Sequence, residues 1–419
     1  MFQLPRGTRD FTPEDMEKRR YVEKSMASTF RSFGYGEVQT PTFETLELFT
    51  AKSGDSIIGE LYDFSDKSGR KLTLRPELTA PVIRFYVDKL QMEPKPLKLY
   101  YFGNCFRYDR PQKGRYREFW QIGCELIGAS TPEALAELIA LAYYAIKNTG
   151  LENIDLRIGN LDYLNQQFDT NLSEYYPGGS AEVYRLIDKE DLEELRNQFT
   201  EVGVPTEKQN EFMDFLDSSS TDDLKRYIGD LERKHYEKII SMLKKEFGIS
   251  RVKQEMKIAR GLDYYKGMVF EIDAPVLGAE KQLCGGGVYD LVKLFGGTDV
   301  PTAGFAIGFD RVILALEAEK FTFPSFKIDV YIIPVDQEQI GKSIEVAQKL
   351  RKKGISVDLD LLNRGVSKSL KYANVRNAKK AVIIGPKELK NDSVTFRDMK
   401  TGNQELVKIA DIVSKLKNN

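Results

Sequence analysis

Histidine is nearly missing from this chain: His235 is the only one in 419 residues, and it sits in a charged stretch with helical spacing. A serine–histidine triad or a histidine-built zinc centre therefore lacks its central residue. Cysteine is scarce as well. Cys105, Cys124 and Cys284 are odd in number, far apart and set among apolar residues, which points to buried free thiols in a reducing cytoplasm rather than disulfides. No protein-ligated metal is expected. No run approaches the roughly eighteen apolar residues that cross a bilayer. The opening stretch MFQLPRGTRDFTPED has no apolar signal core, so no secretory peptide is expected. Internal repeats and low-complexity tracts are absent too.

What is present suits a globular protein of two or three domains, with 41% hydrophobic and 30% charged residues. The net charge of −1 hides an uneven distribution. Residues 327–419 hold 19 Lys+Arg against 11 Asp+Glu, a balance of +8, whereas residues 165–250 hold 11 against 19, or −8. The last segment could face a polyanion, although simple solubility also explains a basic surface.

Apolar spacing predicts a helix over 14–33, a strand from Val38 to Pro41, a short strand at 72–75 and a helix from Glu77 to Lys89. A strand–loop–strand unit follows, Leu97 to Tyr108 and Glu118 to Ile127. Next comes a helix from Thr131 to Thr149, with Thr131 as cap and Pro132 in its first position. The acidic 165–250 segment reads as a helical insertion within one sheet domain. Strands return at 252–273, 281–293 and 304–308, the last leading into a helix from Phe309 to Lys320. After a linker at 321–324, strands and helices alternate as βαβαβ up to Ile384, the pattern of a small α/β domain.

Three segments carry chemistry. Arg260-Gly261-Leu262-Asp263-Tyr264-Tyr265, followed by Lys266-Gly267-Met268-Val269-Phe270-Glu271, sets a permanent cation beside two phenols. A buried guanidinium is costly unless an anion meets it, and paired phenols suit a small planar polar ligand. A hairpin with a surface arginine is the plainer alternative. On the 118–127 strand, alternation puts Phe119, Gln121, Gly123 and Glu125 on one face, and Trp120, Ile122, Cys124 and Leu126 on the core face. Gly123 would leave space for a ligand, as would Gly103 and Cys105 beside Arg107. The connecting loop adds Arg110, Lys113, Arg115 and Arg117, a cluster suited to phosphates or simply a solvated hairpin tip. Arg311 falls in the first turn of a helix, a position that disfavours a cation unless an anion sits there. Neither GxxxxGK[ST] nor GxGxxG occurs, so a bound ATP would be held by arginines on an antiparallel sheet. Gly285-Gly286-Gly287 would let backbone approach a ligand.

The block FRYDRPQKGRYREFWQIGCELIG resembles motif 2 of class II aminoacyl-tRNA synthetases, GFAIGFDRVILAL resembles motif 3, and the helix and strand ending at Pro41 resemble motif 1. RGLDYY with KGMVFE, CGGGVYD, and TLRPELTAPVIR at 73–84 are similar to the segments that mark histidyl-tRNA synthetases. The resemblance spans essentially the whole chain. It implies an α+β fold, with an antiparallel-sheet catalytic domain over 1–326 and an α/β anticodon-binding domain over 327–419. It implies that L-histidine is activated with ATP and Mg²⁺ and transferred to tRNA(His) by a cytoplasmic homodimer.

By the same resemblance, Glu77, Leu78, Thr79 and Gln121 would surround the α-amino group. Glu125, Tyr264 and Tyr265 would read the imidazole, with Tyr289 lining the pocket. Arg107, Arg115 and Arg311 would bind ATP, and Arg260, Arg107 and Arg311 would carry catalysis. The alternative is a silent paralogue like the regulatory subunit of ATP phosphoribosyltransferase, which generally lacks the last domain. Val288 and Leu291 stand where the family usually has arginine and glycine, and Trp120 stands where many relatives have histidine.

Overall fold

The computed structural model describes residues 2–53, 55–110, 114–259, 265–325 and 327–417. Arg260 and Tyr264 lie outside them. The chain divides into two compact units between Phe323 and Pro324.

The first unit opens on a helix, Pro13–Ser32, whose start is set locally. Thr12 and Asp15 cap each other reciprocally and Pro13 occupies the first turn. Its inward face, Val22, Met26 and Phe30, packs with the Pro132–Lys147 helix on one side of an eight-stranded sheet. That second helix begins as its sequence predicts, with the Thr131 hydroxyl accepting from the Ala134 N–H.

Strand order is Gly36–Glu37, Leu97–Phe106, Glu118–Ile127, Thr302–Gly308, Gln282–Tyr289, Tyr265–Asp273, Asp155–Asn160, Val252–Gln254. The interior pairs are antiparallel, and the outermost pair at each edge is parallel. Tyr100, Ile122, Cys124, Phe270 and Phe305 point into the helix-covered core. Leu99, Tyr101, Cys105, Ile127 and Tyr289 point to the opposite face, against Leu78, Val82 and Ile83. Acidic residues 165–250 fall within the helices Leu161–Asn171 to Asp230–Lys245, between two parallel neighbouring strands. All three cysteines are free and buried.

The structure corrects three sequence expectations. The strand expected at Val38 to Pro41 is Gly36–Glu37, extended by the Val38 N–H to the Tyr100 carbonyl. Residues 40 and 41 leave the ladder because their carbonyls accept from Arg75 Nη1, at 2.9 and 3.1 Å. Arg75 is buried, and its Nε donates to the Asn104 carbonyl. It also fills the space at Gly103, where an added Cβ would lie 2.5 Å from Arg75 Nη2, so that glycine serves a neighbour rather than a ligand. Finally, the helix expected from Glu77 starts at Thr79 and passes into a wider π turn, Tyr86–Leu90.

In the second unit, Val330–Pro334, Val357–Leu359 and Lys380–Ile384 pair in parallel, with helices Ile340–Arg351 and Val366–Val375 as crossovers. An antiparallel pair absent from the sequence reading, Ser393–Asp398 and Gln404–Lys408, completes a five-stranded sheet. Its outer strand is mostly exposed, with charges along it, and so lacks an apolar alternation to announce it. Among the described residues no helix is long and apolar enough to cross a membrane.

Candidate active site

Register across four strands builds the site. Glu125 lies opposite Gly304, Gly123 opposite Ala306 and Gln121 opposite Gly308. Ala306 and Gly304 in turn face Gly285 and Gly287, and Gly285 faces Glu271. Because facing residues share a side of the sheet, polar groups from Glu118–Ile127 and Tyr265–Asp273 rise around a floor of glycine and alanine. The result is a cavity of about 420 Å³, within the range of small-molecule sites.

Seven of the sequence candidates line it: Glu77, Thr79, Arg107, Arg115, Gln121, Tyr265 and Arg311. Glu77 is held at the start of the Thr79–Phe85 helix, where its carboxylate accepts from the Thr79 N–H at 2.6 Å and the Ala80 N–H at 3.1 Å. This places its carboxylate where backbone donors at the helix start stabilise it. The Gln121 side-chain oxygen accepts from the Cys105 thiol, which is fully buried. Burial pushes that thiol up to about 12, so it stays protonated and unreactive.

Three arginines line the same cavity. Arg107 donates from Nε to the Pro76 carbonyl at 3.0 Å, with its guanidinium 5.3 Å from the centre of the Phe119 ring. Arg311 donates to the Gly114 and Gln282 carbonyls and pairs with Glu280 at 2.6 Å. Arg115 reaches the same carboxylate at 3.1 Å. The charge of Arg311 in a first helical turn is thus balanced within the protein by Glu280 and two carbonyls, and not only by a prospective anion.

Glu125, Tyr289 and Leu78 lie behind the wall. Leu78 is packed in the apolar cluster beneath the sheet. Glu125 is fully buried, with one oxygen accepting from Tyr101 at 3.0 Å and the other from Tyr289 at 2.5 Å. Space for it comes from Gly304, where a Cβ would fall 1.9 Å from Glu125 Oε2. The space above Gly123 is taken by Tyr101, whose hydroxyl would be 2.7 Å from an added Cβ, so that glycine is not a ligand niche. Gly286 and Gly287 likewise make way for Phe305 and for the Met268 carbonyl, while Gly285 and Gly286 border the cavity.

Burial raises the Glu125 carboxyl from 4.5 to about 8, against the opposing pull of the two phenol donors. Between those values the folded chain keeps a proton that the unfolded chain releases. Its contribution to stability therefore declines as pH climbs through that window and levels off above it. Glu125→Gln should flatten the corresponding part of a plot of Tm against pH. Parallel curves for parent and variant would mean that the carboxyl is ionised throughout.

Phe119, Glu271 and Gln282 also line the cavity, although the strand pattern alone gives them no role. Glu271 is buried, bonded by Gln282 Nε2 at 2.6 Å and paired with Arg157 at 2.5 Å. Trp120 packs against the core as expected, and its edge reaches the cavity as well. Among the described residues no three His, Cys, Asp or Glu side chains gather as a metal-binding group.

An antiparallel sheet bearing an arginine-rich cavity between motif 2 and motif 3 elements defines a class II aminoacyl-tRNA synthetase. A family model described as histidyl-tRNA synthetase matches residues 7–312, and one described as anticodon binding domain matches 329–419. The chain belongs to the histidyl-tRNA synthetase family. It is 45% identical over 416 residues to the histidine–tRNA ligase of Methanosarcina acetivorans, covering 98% of each. With that of Methanocaldococcus jannaschii it shares 46% over 427 residues, covering 99% of each. The apo histidyl-tRNA synthetase of S. aureus matches the fold with a TM-score of 0.78 at 30% identity, over 100% of both chains.

Proposed function

We propose that this cavity activates L-histidine with ATP and passes the histidyl group to tRNA(His), the histidine–tRNA ligase reaction of its family. The observation that carries this reading is the polarity of the cavity. Acceptors for an ammonium group, Glu77, Thr79 and Gln121, line it together with the guanidinium groups of Arg107, bonded to Pro76, and of Arg115 and Arg311, which share Glu280. An amino acid bound by its ammonium presents its carboxylate toward the phosphates. A carboxylate oxygen then attacks the α-phosphorus, and pyrophosphate leaves. The terminal adenosine hydroxyl of the tRNA next attacks the acyl carbon and releases AMP. The first step brings anions together, so preorganised arginines act directly on its barrier. No protein nucleophile is required, which agrees with a chain almost devoid of histidine.

In the same reading Arg107 and Arg260 serve the α-phosphate, Arg311 the γ-phosphate, and Phe119 gives the nucleotide base an apolar face. Tyr264 and Tyr265 supply a donor to the imidazole, and Glu125 with Tyr289 forms the base of its subsite. Mg²⁺ would arrive with ATP, since such ions keep most of their waters and need only one or two carboxylates. Glu271 on the wall and Glu280 beside Arg115 and Arg311 would fit that requirement, and the ion would shield the phosphate charge. The basic second unit would meet the anticodon, and the Pro13–Ser32 helix would contribute to a two-fold dimer working in the cytoplasm. Full-length likeness to ligases, together with the anticodon-domain match, weighs against the regulatory paralogue.

Pyrophosphate exchange with each amino acid in turn tests the assignment. Only histidine should support exchange. Comparable exchange with another amino acid, or none with histidine, would sink it.

A further inference from the structure

Residues 7–11, ahead of the first helix, lie against the end of the motif 2 loop. The Gly7 carbonyl accepts from the Arg117 N–H at 2.9 Å. Gly7 has φ +85°, and a Cβ there would fall 2.7 Å from Arg117 Cγ, so the two segments touch. Two residues on, the Arg9 guanidinium lies 3.4 Å from the centre of the Tyr116 ring, and its Nη2 is 2.8 Å from Asp310 Oδ1. Asp310 is buried in the first turn of the motif 3 helix, where its other oxygen accepts from the Trp120 N–H at 2.8 Å. Arg19 takes the same Oδ1 at 2.6 Å and is wedged among Phe11, Trp120 and Phe309.

We propose that Arg9 is a positioning residue that clamps Tyr116 to Asp310 and thereby sets the spacing of Arg115 and Arg311 at the nucleotide end of the cavity. The proposal rests on the reading of that end as the ATP subsite. Arg115 follows Gly114 and adjoins Tyr116; Arg311 adjoins Asp310; both guanidinium groups converge on Glu280. Tyr116 and Asp310 themselves line the cavity. One flat cation thus joins the two residues next to the two arginines, through a ring face on one side and a carboxylate on the other. A lysine could make the ion pair but not the flat contact. Exposed ion pairs fix little, but here Asp310 is 5% and Arg19 7% exposed, so the acceptor is rigidly held. Asp310 keeps Arg19 when Arg9 is removed. The core ion pair therefore survives, and what is lost is the tether on Tyr116.

The test is pyrophosphate exchange with full-length Arg9→Ala, Arg9→Lys and Tyr116→Leu, varying ATP and histidine separately, with Arg311→Ala as reference and Tm recorded for each. Small misplacements of a binding group cost up to about 100-fold, so Arg9→Ala should raise KM for ATP by about 10-fold or more. KM for histidine should stay within about twofold by the same reasoning, because the ammonium end is untouched. Arg9→Lys should recover only part of the loss, and Tyr116→Leu should match Arg9→Ala. Equal rises in both KM values, a fall in Tm without a change in KM for ATP, or full rescue by lysine would each overturn the clamp. If Arg311→Ala raises KM for ATP and Arg9→Ala does not, the clamp alone fails. If Arg311→Ala has no effect either, the reading of that end of the cavity falls and the clamp falls with it.

Discussion

Glu125→Ala should lower histidine-dependent pyrophosphate exchange by at least about 100- to 1,000-fold, the loss of a hydrogen-bonding carboxyl in a buried site built around it. Neutral imidazole carries one N–H and one acceptor nitrogen, so a selective pocket needs an acceptor for the first and a donor for the second. On the proposed reading Glu125 is that acceptor, for even a protonated carboxyl that takes the phenols of Tyr101 and Tyr289 keeps acceptor capacity. Tyr265 stands edge-on to Tyr289 with ring centres 6.4 Å apart and borders the cavity, and on the proposed reading its hydroxyl is the donor. Truncation does more than delete one contact. It strips both buried phenols of their acceptor and opens a hole beside Gly304, which exists to make room for the carboxylate. Exchange should be measured with histidine and with isosteres lacking one ring nitrogen. A variant that activates histidine like the parent and still refuses the isosteres would show that Glu125 does not read the ring.

A comparable loss, about 100- to 1,000-fold in kcat for adenylate formation, is expected of Arg107→Ala, the magnitude associated with removing one preorganised donor to a developing oxyanion. Arg107 is fixed from both sides, by the Pro76 carbonyl and by the face of Phe119, so it is in place before charge builds on the phosphoryl oxygens. Because that charge grows in the transition state, the loss should fall on kcat more than on KM. Arg107→Lys should recover little, since an ammonium cannot keep the planar contact. Arg260→Ala carries the same expectation on its motif. A rise in KM for ATP with kcat unchanged would reduce Arg107 to a ground-state contact.

Local chemistry was legible in the sequence where one short stretch decides it. Thr131-Pro132 announced a helix start, and the apolar alternation of 118–127 gave that strand its limits and its core face. The site residues were legible as types, and their gathering required motifs from four strands whose register no local pattern encodes. Errors fell where a distant side chain decides what a glycine is for. Gly103 yields to Arg75 and Gly123 to Tyr101, each filled from a neighbouring segment. The Glu280 link between Arg115 and Arg311 was illegible for the same reason, since 165 residues separate Arg115 from its partner.

The acidic helical segment leaves the sheet at Asp155–Asn160 and returns at Val252–Gln254, the strand directly beside it. By connectivity alone it is a crossover between two parallel neighbours, a span that one helix with its loops could make without reordering a single strand. Energetically it is nothing of the kind. Val183, Phe199, Phe212 and Phe215 belong to the same continuous apolar core as Ile158 and Phe270, and the Tyr236 hydroxyl donates to the Ile158 carbonyl at 2.7 Å. A grafting experiment that swaps this segment for a single crossover helix would preserve the topology and lay bare one wall of the core. Any shortened descendant of this chain would have to repaint that wall with polar residues before it could remain dispersed in water.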